Sequence, residues 1–348
     1  MDNLDKSTAL LNAHKTIADF HADGQKYSNK IKLVYFYPRE RTMNKDWPNR
    51  LHRTMEDINH FFIEEFKKFG VKINGLPFER GSNGKIVFHI VKSEEQAESY
   101  NYYSGNKIYN EIKNKLGETI DFGKEFTFII TALSYKNNIG MEVFHSPYYG
   151  IPNKKIAFAV DSNYLDPELY NDKFRKITYQ DATKGTVTES VGDFNSKYIG
   201  GIAHELAHAL GLPHTAGSNN DSKVPSVPLM NNGNLYFRAN ERGEKRTAFL
   251  TLASALTLIS SPLLTNSNKA LFRKAMVNWK KVTTQFHDKQ LSVKVLFESD
   301  IPAYAAVAYL WKPNNWPGNP QNDHNSPTWT TLVEDKSLFK FNFGQLLL

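Results

Sequence analysis

Three histidines and a glutamate cluster between residues 204 and 214, where the letters read HExxHxxGxxH. If this stretch is helical, His204 and His208 are one turn apart and their imidazoles leave the same face. Both can then bind one metal ion. Glu205 follows the first histidine, so its carboxylate can reach a metal-bound water without being a ligand itself.

Gly211 and His214 continue the pattern beyond the helix. Glycine tolerates positive φ, so Gly211 permits the turn that ends the helix. The chain can then return, and His214 supplies a third nitrogen. Three protein ligands leave a fourth position open for water, which is typical of a catalytic zinc site. We therefore expect one catalytic Zn²⁺ on His204, His208 and His214, with Glu205 as the general base.

The residues around the motif predict a buried helix from about 196 to 210. Its apolar side consists of Ile199, Ile202, Ala203, Leu206, Ala207 and Leu210. Histidines on a buried helix need a polar partner, and a zinc ion provides one. The alternative is a surface helix with solvated histidines, which the apolar side disfavours.

The motif, together with a methionine downstream of it, resembles the signature of the metzincin clan of zinc metallopeptidases. Met230 fits the methionine turn that lies beneath the metal in this clan; the alternative is a methionine that fills a gap in the core. The flanks resemble pappalysin-like members at Thr215 and matrixin-like members elsewhere, so the subfamily stays unassigned. Asn232 stands where astacin-like and serralysin-like enzymes carry a tyrosine ligand, so no such ligand is expected.

The resemblance implies a zinc-dependent endopeptidase, in which a zinc-activated water attacks the peptide bond and Glu205 accepts its proton. A protein or peptide is then the expected partner. Two other functions stay open. One is a zinc hydrolase of a non-peptide amide. The other is a non-catalytic binding protein that retains the zinc site, which the intact Glu205 disfavours.

The same resemblance implies three substrate contacts. The clan pairs an extended substrate with the edge strand that precedes the zinc helix, so the segment containing His145 would line the cleft. Tyr236 and Phe237 follow the methionine turn, where the clan builds the wall of a substrate pocket. The alternatives are an ordinary loop for His145 and core packing for the two aromatic residues.

Hydrophobic periodicity predicts an α/β (α+β) fold: a metzincin-like catalytic domain with a mixed sheet and a zinc helix, plus a small C-terminal β-sandwich-like module. Strands are predicted at 31–37, 85–91, 126–131, 155–160, 291–297, 303–311, 328–333 and 338–343, and helices at 51–69, 108–116, 196–210, 246–259 and 269–280. We divide the chain into an N-terminal extension (1–29), the catalytic domain (30–286) and the β-rich module (287–348). The module should have its own core, because four short strands follow with no helix.

The charge and residue composition restrict the kinds of partner that we expect. The net charge of +7 is moderate for 348 residues and no dense basic block stands out, so nucleic acid is not expected. No apolar run is long enough to span a membrane. The oxygen-rich residues 219–221 suggest a structural Ca²⁺, but no ligand spacing supports it and a solvated loop is favoured. The oligomeric state is not predicted.

The chain contains no cysteine, which excludes disulfides and cysteine metal ligands. The first residues lack the charged-then-apolar pattern of a signal peptide. We expect a secreted or periplasmic protein whose signal peptide is absent from this chain, because an unrestrained protease would damage the cytosol. A cytoplasmic protein is the alternative.

Overall fold

Helices and strands alternate through the first half of the chain, and strands dominate after the last helix. The structure, a computed structural model, describes residues 5–27, 29–151, 154–181, 185–218, 220–271, 273–310, 324–335 and 337–343. The α-helices are α1 (Lys6–His21), α2 (Trp47–Lys68), α3 (Gly105–Leu116), α4 (Val191–Ala209), α5 (Leu252–Ile259) and α6 (Pro262–Thr265). The strands are β1 (Ile31–Tyr37), β2 (Phe88–Lys92), β3 (Phe126–Thr131), β4 (Ser134–Lys136), β5 (Glu142–Phe144), β6 (Tyr149–Ile151), β7 (Ile156–Val160), β8 (Lys176–Asp181), β9 (Gly185–Ser190), β10 (Val227–Pro228), β11 (Ala248–Phe249), β12 (Val277–His287), β13 (Gln290–Ser299), β14 (Ala305–Tyr309), β15 (Thr328–Leu332) and β16 (Leu338–Phe343).

A mixed sheet of order β2-β1-β3-β7-β6 forms the centre of the molecule. Its first four strands are parallel, and β6 is antiparallel to β7 at the edge. Leu33 and Tyr35 face the main core, which α2 and α4 also line, whereas Val34 and Phe36 face a second core beneath α3. Burial of both faces explains why the three inner parallel strands, β1, β3 and β7, consist mainly of apolar residues. The predicted α/β fold class is confirmed.

The helix that carries the motif, α4, begins earlier than predicted. Ser190 precedes it, and the Ser190 side chain accepts a hydrogen bond from the backbone N–H of Asp193, so the first turn is capped. The helix ends at Ala209, and Gly211 has a φ of 101°, as the predicted turn requires. This geometry turns the chain back towards the helix.

A buried ion pair joins α2 to the end of β7. The Arg50 guanidinium donates to Asp161 Oδ1 at 2.9 Å, and the same nitrogen donates to the carbonyls of Ser162 and Leu165 at 2.7 and 2.8 Å. The Tyr35 hydroxyl donates to Asp161 Oδ2 at 2.9 Å. Asp161 is fully buried, so these donors replace the water that its charge has lost.

Two of the predicted helices differ from the structure. The prediction of a helix at 269–280 is wrong, because β12 begins at Val277 and pairs along its length with β13. Strand pairing within the β12–β13 hairpin therefore overrides the local helical pattern. The helix predicted from Arg246 begins only at Leu252, because Ala248 and Phe249 form β11 beside β10.

The C-terminal strands have a small core of their own. Strands β12, β13 and β16 form one antiparallel sheet, and β14 and β15 form another. The buried residues between them are Val295, Phe297, Phe339 and Phe341. The boundary predicted after residue 286 lies within the β12–β13 hairpin, whose turn residues Asp288 and Lys289 have φ values of 48° and 61°. A boundary that respects this pairing would precede Val277.

Both ends of the described chain also touch the main core. Helix α1, in the predicted N-terminal extension, buries Ala9, Leu10 and Ala13 there. From the C-terminal strands, Tyr304 and Leu332 pack against the same core, and the Tyr304 hydroxyl donates to the carbonyl of Leu256 at 2.6 Å. Among the residues that the structure describes, no helix has the length and hydropathy that a membrane crossing requires.

Candidate metal centre and active site

The side chains of His204, His208 and His214 converge. The Nε2 atom of His214 lies 3.1 Å from that of His204 and 3.0 Å from that of His208. His204 and His208 lie one turn apart on α4, and His214 returns to them after the turn at Gly211. The cluster can hold one metal ion, since its three ligand atoms all lie within 4.8 Å of one another.

Backbone carbonyls orient the rings of His204 and His208. His204 Nδ1 lies 2.7 Å from the carbonyl oxygen of Leu229, and His208 Nδ1 lies 2.7 Å from that of Leu212. A carbonyl only accepts, so each Nδ1 carries the proton and each Nε2 presents a lone pair to the cluster. Burial is the main cause that lowers the pKa of both rings, which keeps them neutral.

Lone pairs that converge at about 3 Å repel each other unless a cation lies between them. One proton on His214 Nε2 can satisfy only one of its two neighbours. Neutral imidazole nitrogens are ligands that zinc accepts, and each of the two carbonyl contacts is the second bond that commonly orients a metal-binding histidine. The residues present therefore fit a zinc ion.

Glu205 is half-buried beside the first histidine, and its side chain is held by the edge strand. The backbone N–H of Gly150 in β6 donates to Glu205 Oε2 at 2.8 Å. Burial raises the pKa of Glu205 to about 8, and the hydrogen bond from Gly150 opposes this shift. A cation on the histidines would also favour the carboxylate form. The group is thus poised to accept and release a proton near neutral pH.

Strand β6 lies directly against α4. A Cβ atom added at Gly150 would be 2.2 Å from the carbonyl oxygen of Glu205 and 2.6 Å from Cβ of His208. No real side chain tolerates such distances, so glycine is needed for this approach. Among the described residues, β6 has a strand partner on one side only, so its other edge, where Gly150 N–H contacts Glu205, borders the cluster.

The segment around Met230 contacts the histidine cluster through its backbone carbonyls. Met230 is buried in the main core, and its carbonyl accepts the backbone N–H of Thr215 at 3.0 Å. The preceding residue, Leu229, supplies the carbonyl that orients His204. This segment therefore contacts both the first ligand and the residue that follows the third ligand, His214.

The three predicted substrate-contact residues have different positions. His145 follows β5 and lies edge-on to the Tyr135 ring, with ring centroids 5.3 Å apart. Tyr236 is half-buried, and its hydroxyl accepts from Arg246 at 2.9 Å. Phe237 is fully buried against Phe61, which is the core packing that we gave as the alternative. A substrate cannot reach Phe237 in this position.

The exposed Tyr102 lies near Glu205 and was not predicted, and Tyr103 packs against Tyr102. Tyr103 is 87% exposed and Tyr102 is 45% exposed. Tyr102 packs against Tyr149 of β6, and burial followed by the Glu205 charge raises its pKa. The run Tyr100 to Tyr103 contains three tyrosines, which was the available signal in the sequence.

A fourth histidine, His324, also reaches the cluster. Its ring centroid lies 3.6 Å from that of His214, with an angle of 31° between the planes. It comes from beyond the last helix, more than a hundred residues along the chain, and its sequence context carries no motif. The sequence therefore contains no pattern that groups His324 with the three histidines of the motif.

The loop that suggested calcium is partly described. Asn219 lies outside the described residues. Asp221 is buried and accepts from Lys6 at 2.6 Å and from the backbone N–H of Ser218 at 2.8 Å. The lysine ammonium therefore takes the place at this carboxylate that a Ca²⁺ would need.

Comparison with known proteins identifies solved structures that share the fold. No protein-family model and no curated protein matches the chain. Wild-type OgpA from Akkermansia muciniphila is similar in structure, with a TM-score of 0.73 and 21% sequence identity over 92% of this chain and 85% of that chain. Catalytically inactive OgpA in complex with an O-glycopeptide substrate, glycodrosocin, matches with a TM-score of 0.73 and 22% identity over the same shares. At this identity the likeness establishes a shared fold.

Proposed function

We propose that this protein is a zinc-dependent endopeptidase, with His204, His208 and His214 as metal ligands and Glu205 as the general base. The observation that carries the proposal is the convergence of three imidazole nitrogens beside a carboxylate that the backbone holds in place. The likeness to OgpA adds support, because inactive OgpA was crystallised with an O-glycopeptide substrate. We keep a secreted or periplasmic location as part of the proposal.

When bound, zinc would supply Lewis acidity, which lowers the pKa of a water and polarises a carbonyl. Glu205 would accept the proton of the attacking water and pass it to the departing amine. The N–H of Gly150 fixes one oxygen of Glu205 and leaves the other for this transfer. The edge of β6 that pairs with no strand of the described residues would lie beside an extended peptide backbone at the cluster.

The alternatives use the same site differently. A zinc hydrolase of a non-peptide amide would need the same base, and a binding protein would need only the ligands. The position of an edge strand beside the base favours the peptidase, because such an edge suits an extended polypeptide. The half-buried position of Glu205 favours an enzyme over a binding protein, since burial costs free energy that binding alone does not require.

Three substrates distinguish these functions: an unmodified peptide mixture, an O-glycosylated peptide, and a non-peptide amide. Products are identified by mass spectrometry with the zinc-loaded wild type and with Glu205→Gln, its matched control. We expect cleavage of at least one peptide substrate, and a rate at least ~100-fold lower for the variant. Turnover of the non-peptide amide alone would contradict the peptidase. Turnover of none would favour the binding protein.

A further inference from the structure

The third histidine differs from the other two in the way it is supported. His204 and His208 lie on helix α4, whereas His214 lies in a segment to which the structure assigns neither helix nor strand. A ligand on such a segment needs tertiary contacts to stay in place. The contacts around His214 therefore decide how well the cluster is preformed.

Part of that support comes from the far end of the chain. Ala216 N–H and Thr215 Oγ1 donate to the carbonyl of Ser326 at 2.8 and 3.2 Å. Thr328 N–H donates to the carbonyl of Gly217 at 2.9 Å, so the two segments pair like parallel strands. Thr215 and Ser326 are fully buried, so water cannot replace these bonds.

Residues 324–328, which we call the C-terminal clamp, also present a side chain to the cluster. The His324 ring lies against the His214 ring, with centroids 3.6 Å apart and an angle of 31° between the planes. It is 6.2 Å from the His204 ring. Stacking at this distance blocks rotation of the His214 ring away from the other two ligands.

We propose that His324 is a positioning residue for the third metal ligand: its ring holds the imidazole of His214 in the orientation that the metal requires. The inference rests on the proposed function, since it assumes that the three histidines bind zinc. It makes the C-terminal clamp a part of the metal site, although His324 is not among the three residues whose ligand atoms converge. Stacking requires a flat ring but does not require a ring nitrogen. Phenylalanine at position 324 should therefore support His214 as histidine does.

Zinc affinity tests the proposal without any substrate. The dissociation constant is measured by competition with a chromophoric chelator for the full chain and for His324→Ala, His324→Phe, His208→Ala and His287→Ala. His287 is exposed on the β12–β13 turn and serves as the matched control. We expect His324→Ala to weaken binding about 10-fold, the range found when a supporting contact of a metal ligand is removed. We expect His324→Phe and His287→Ala to bind as the wild type does.

The variants distinguish an error in the metal site from an error in the role of His324. If His208→Ala bound zinc as tightly as the wild type, the metal site itself would be misplaced, and this inference would fail with it. If His208→Ala lost zinc while His324→Ala kept wild-type affinity, only the role of His324 would be wrong. Weak binding by both His324 variants would also overturn it, because stacking would not be the cause. The absorption spectrum of the cobalt(II) form should change in His324→Ala and stay unchanged in His324→Phe.

Discussion

The backbone N–H of Gly150 donates to Oε2 of Glu205 at 2.8 Å, which joins the edge strand of the sheet to the candidate general base. The same glycine lies so close to α4 that any side chain would overlap it. Strand β6 therefore has two roles in the site: it orients the carboxylate, and it forms the border where an extended substrate would lie. Both roles depend on the absence of a Cβ atom at one position.

Gly150→Ala should separate the edge strand from the helix. The added Cβ would lie 2.2 Å from the Glu205 carbonyl oxygen, so β6 must move and its bond to Glu205 must lengthen. Overpacking of this kind typically costs about 1–3 kcal/mol. We expect a lower midpoint of thermal unfolding and at least ~10-fold slower peptide hydrolysis, since the base loses its orientation. Gly81→Ala is the control, because its nearest contact would be a side-chain atom of Asn83 at 3.3 Å. Wild-type rates in Gly150→Ala would show that this contact does not matter.

Removal of the metal should lower stability as well as activity. The convergent lone pairs of the histidines repel each other in the metal-free chain, and zinc binds the folded state much better than the unfolded one. At a free zinc concentration of about 1,000 times the dissociation constant, the gain is about 4 kcal/mol. Chelator-treated protein should therefore unfold at a lower temperature and recover on addition of zinc. His208→Ala should show little of this rise. Equal unfolding temperatures for wild type with and without zinc would argue against a metal site.

The sequence predicted best those parts of the fold whose conformation depends on the local residue pattern. The apolar runs of β1 and β3 were located to the residue, because both faces of these strands are buried and most of their positions are β-branched or aromatic. The helical period of the motif likewise places His204 and His208 together, since they are four residues apart. Local pattern is sufficient where local geometry creates the contact.

The parts that were missed depend on pairing and packing partners that the local residue pattern does not reveal. The residues of β12 are exposed throughout, so their strand conformation comes from pairing with β13 rather than from an apolar pattern. His324 reaches His214 only because the C-terminal clamp pairs with the segment after the motif. Phe237 was predicted to line a pocket or to pack in the core, and its Cβ lies close to Gly200 of α4, where the ring is fully buried. No spacing in the sequence encodes these contacts.

Arg50→Ala should be among the most destabilising substitutions outside the site. It would leave the fully buried Asp161 without its cation and would remove donors to the carbonyls of Ser162 and Leu165. Breaking one side of a buried pair typically costs about 3–5 kcal/mol. The free energy of unfolding in urea measures the loss. Arg80→Ala is the matched control: its partner Glu56 is about one-third exposed, so the loss should be at most about 1 kcal/mol. Similar losses for the two variants would mean that burial does not decide the effect.

Truncation before Val277 tests whether the C-terminal strands are a separate module. Their own core suggests independence, as the sequence did. Their contacts with the rest of the chain argue the other way, because Tyr304 and Leu332 pack into the main core and the clamp pairs with the segment that follows His214. We therefore expect a chain ending at Met276 to unfold at a lower temperature than the full chain and to bind zinc more weakly. Full-length Tyr304→Phe is the control, since it removes only the hydroxyl that donates to the Leu256 carbonyl and should cost about 1 kcal/mol. A truncated chain that matched the full chain in unfolding temperature and zinc affinity would establish that the main core and the metal site form without these strands.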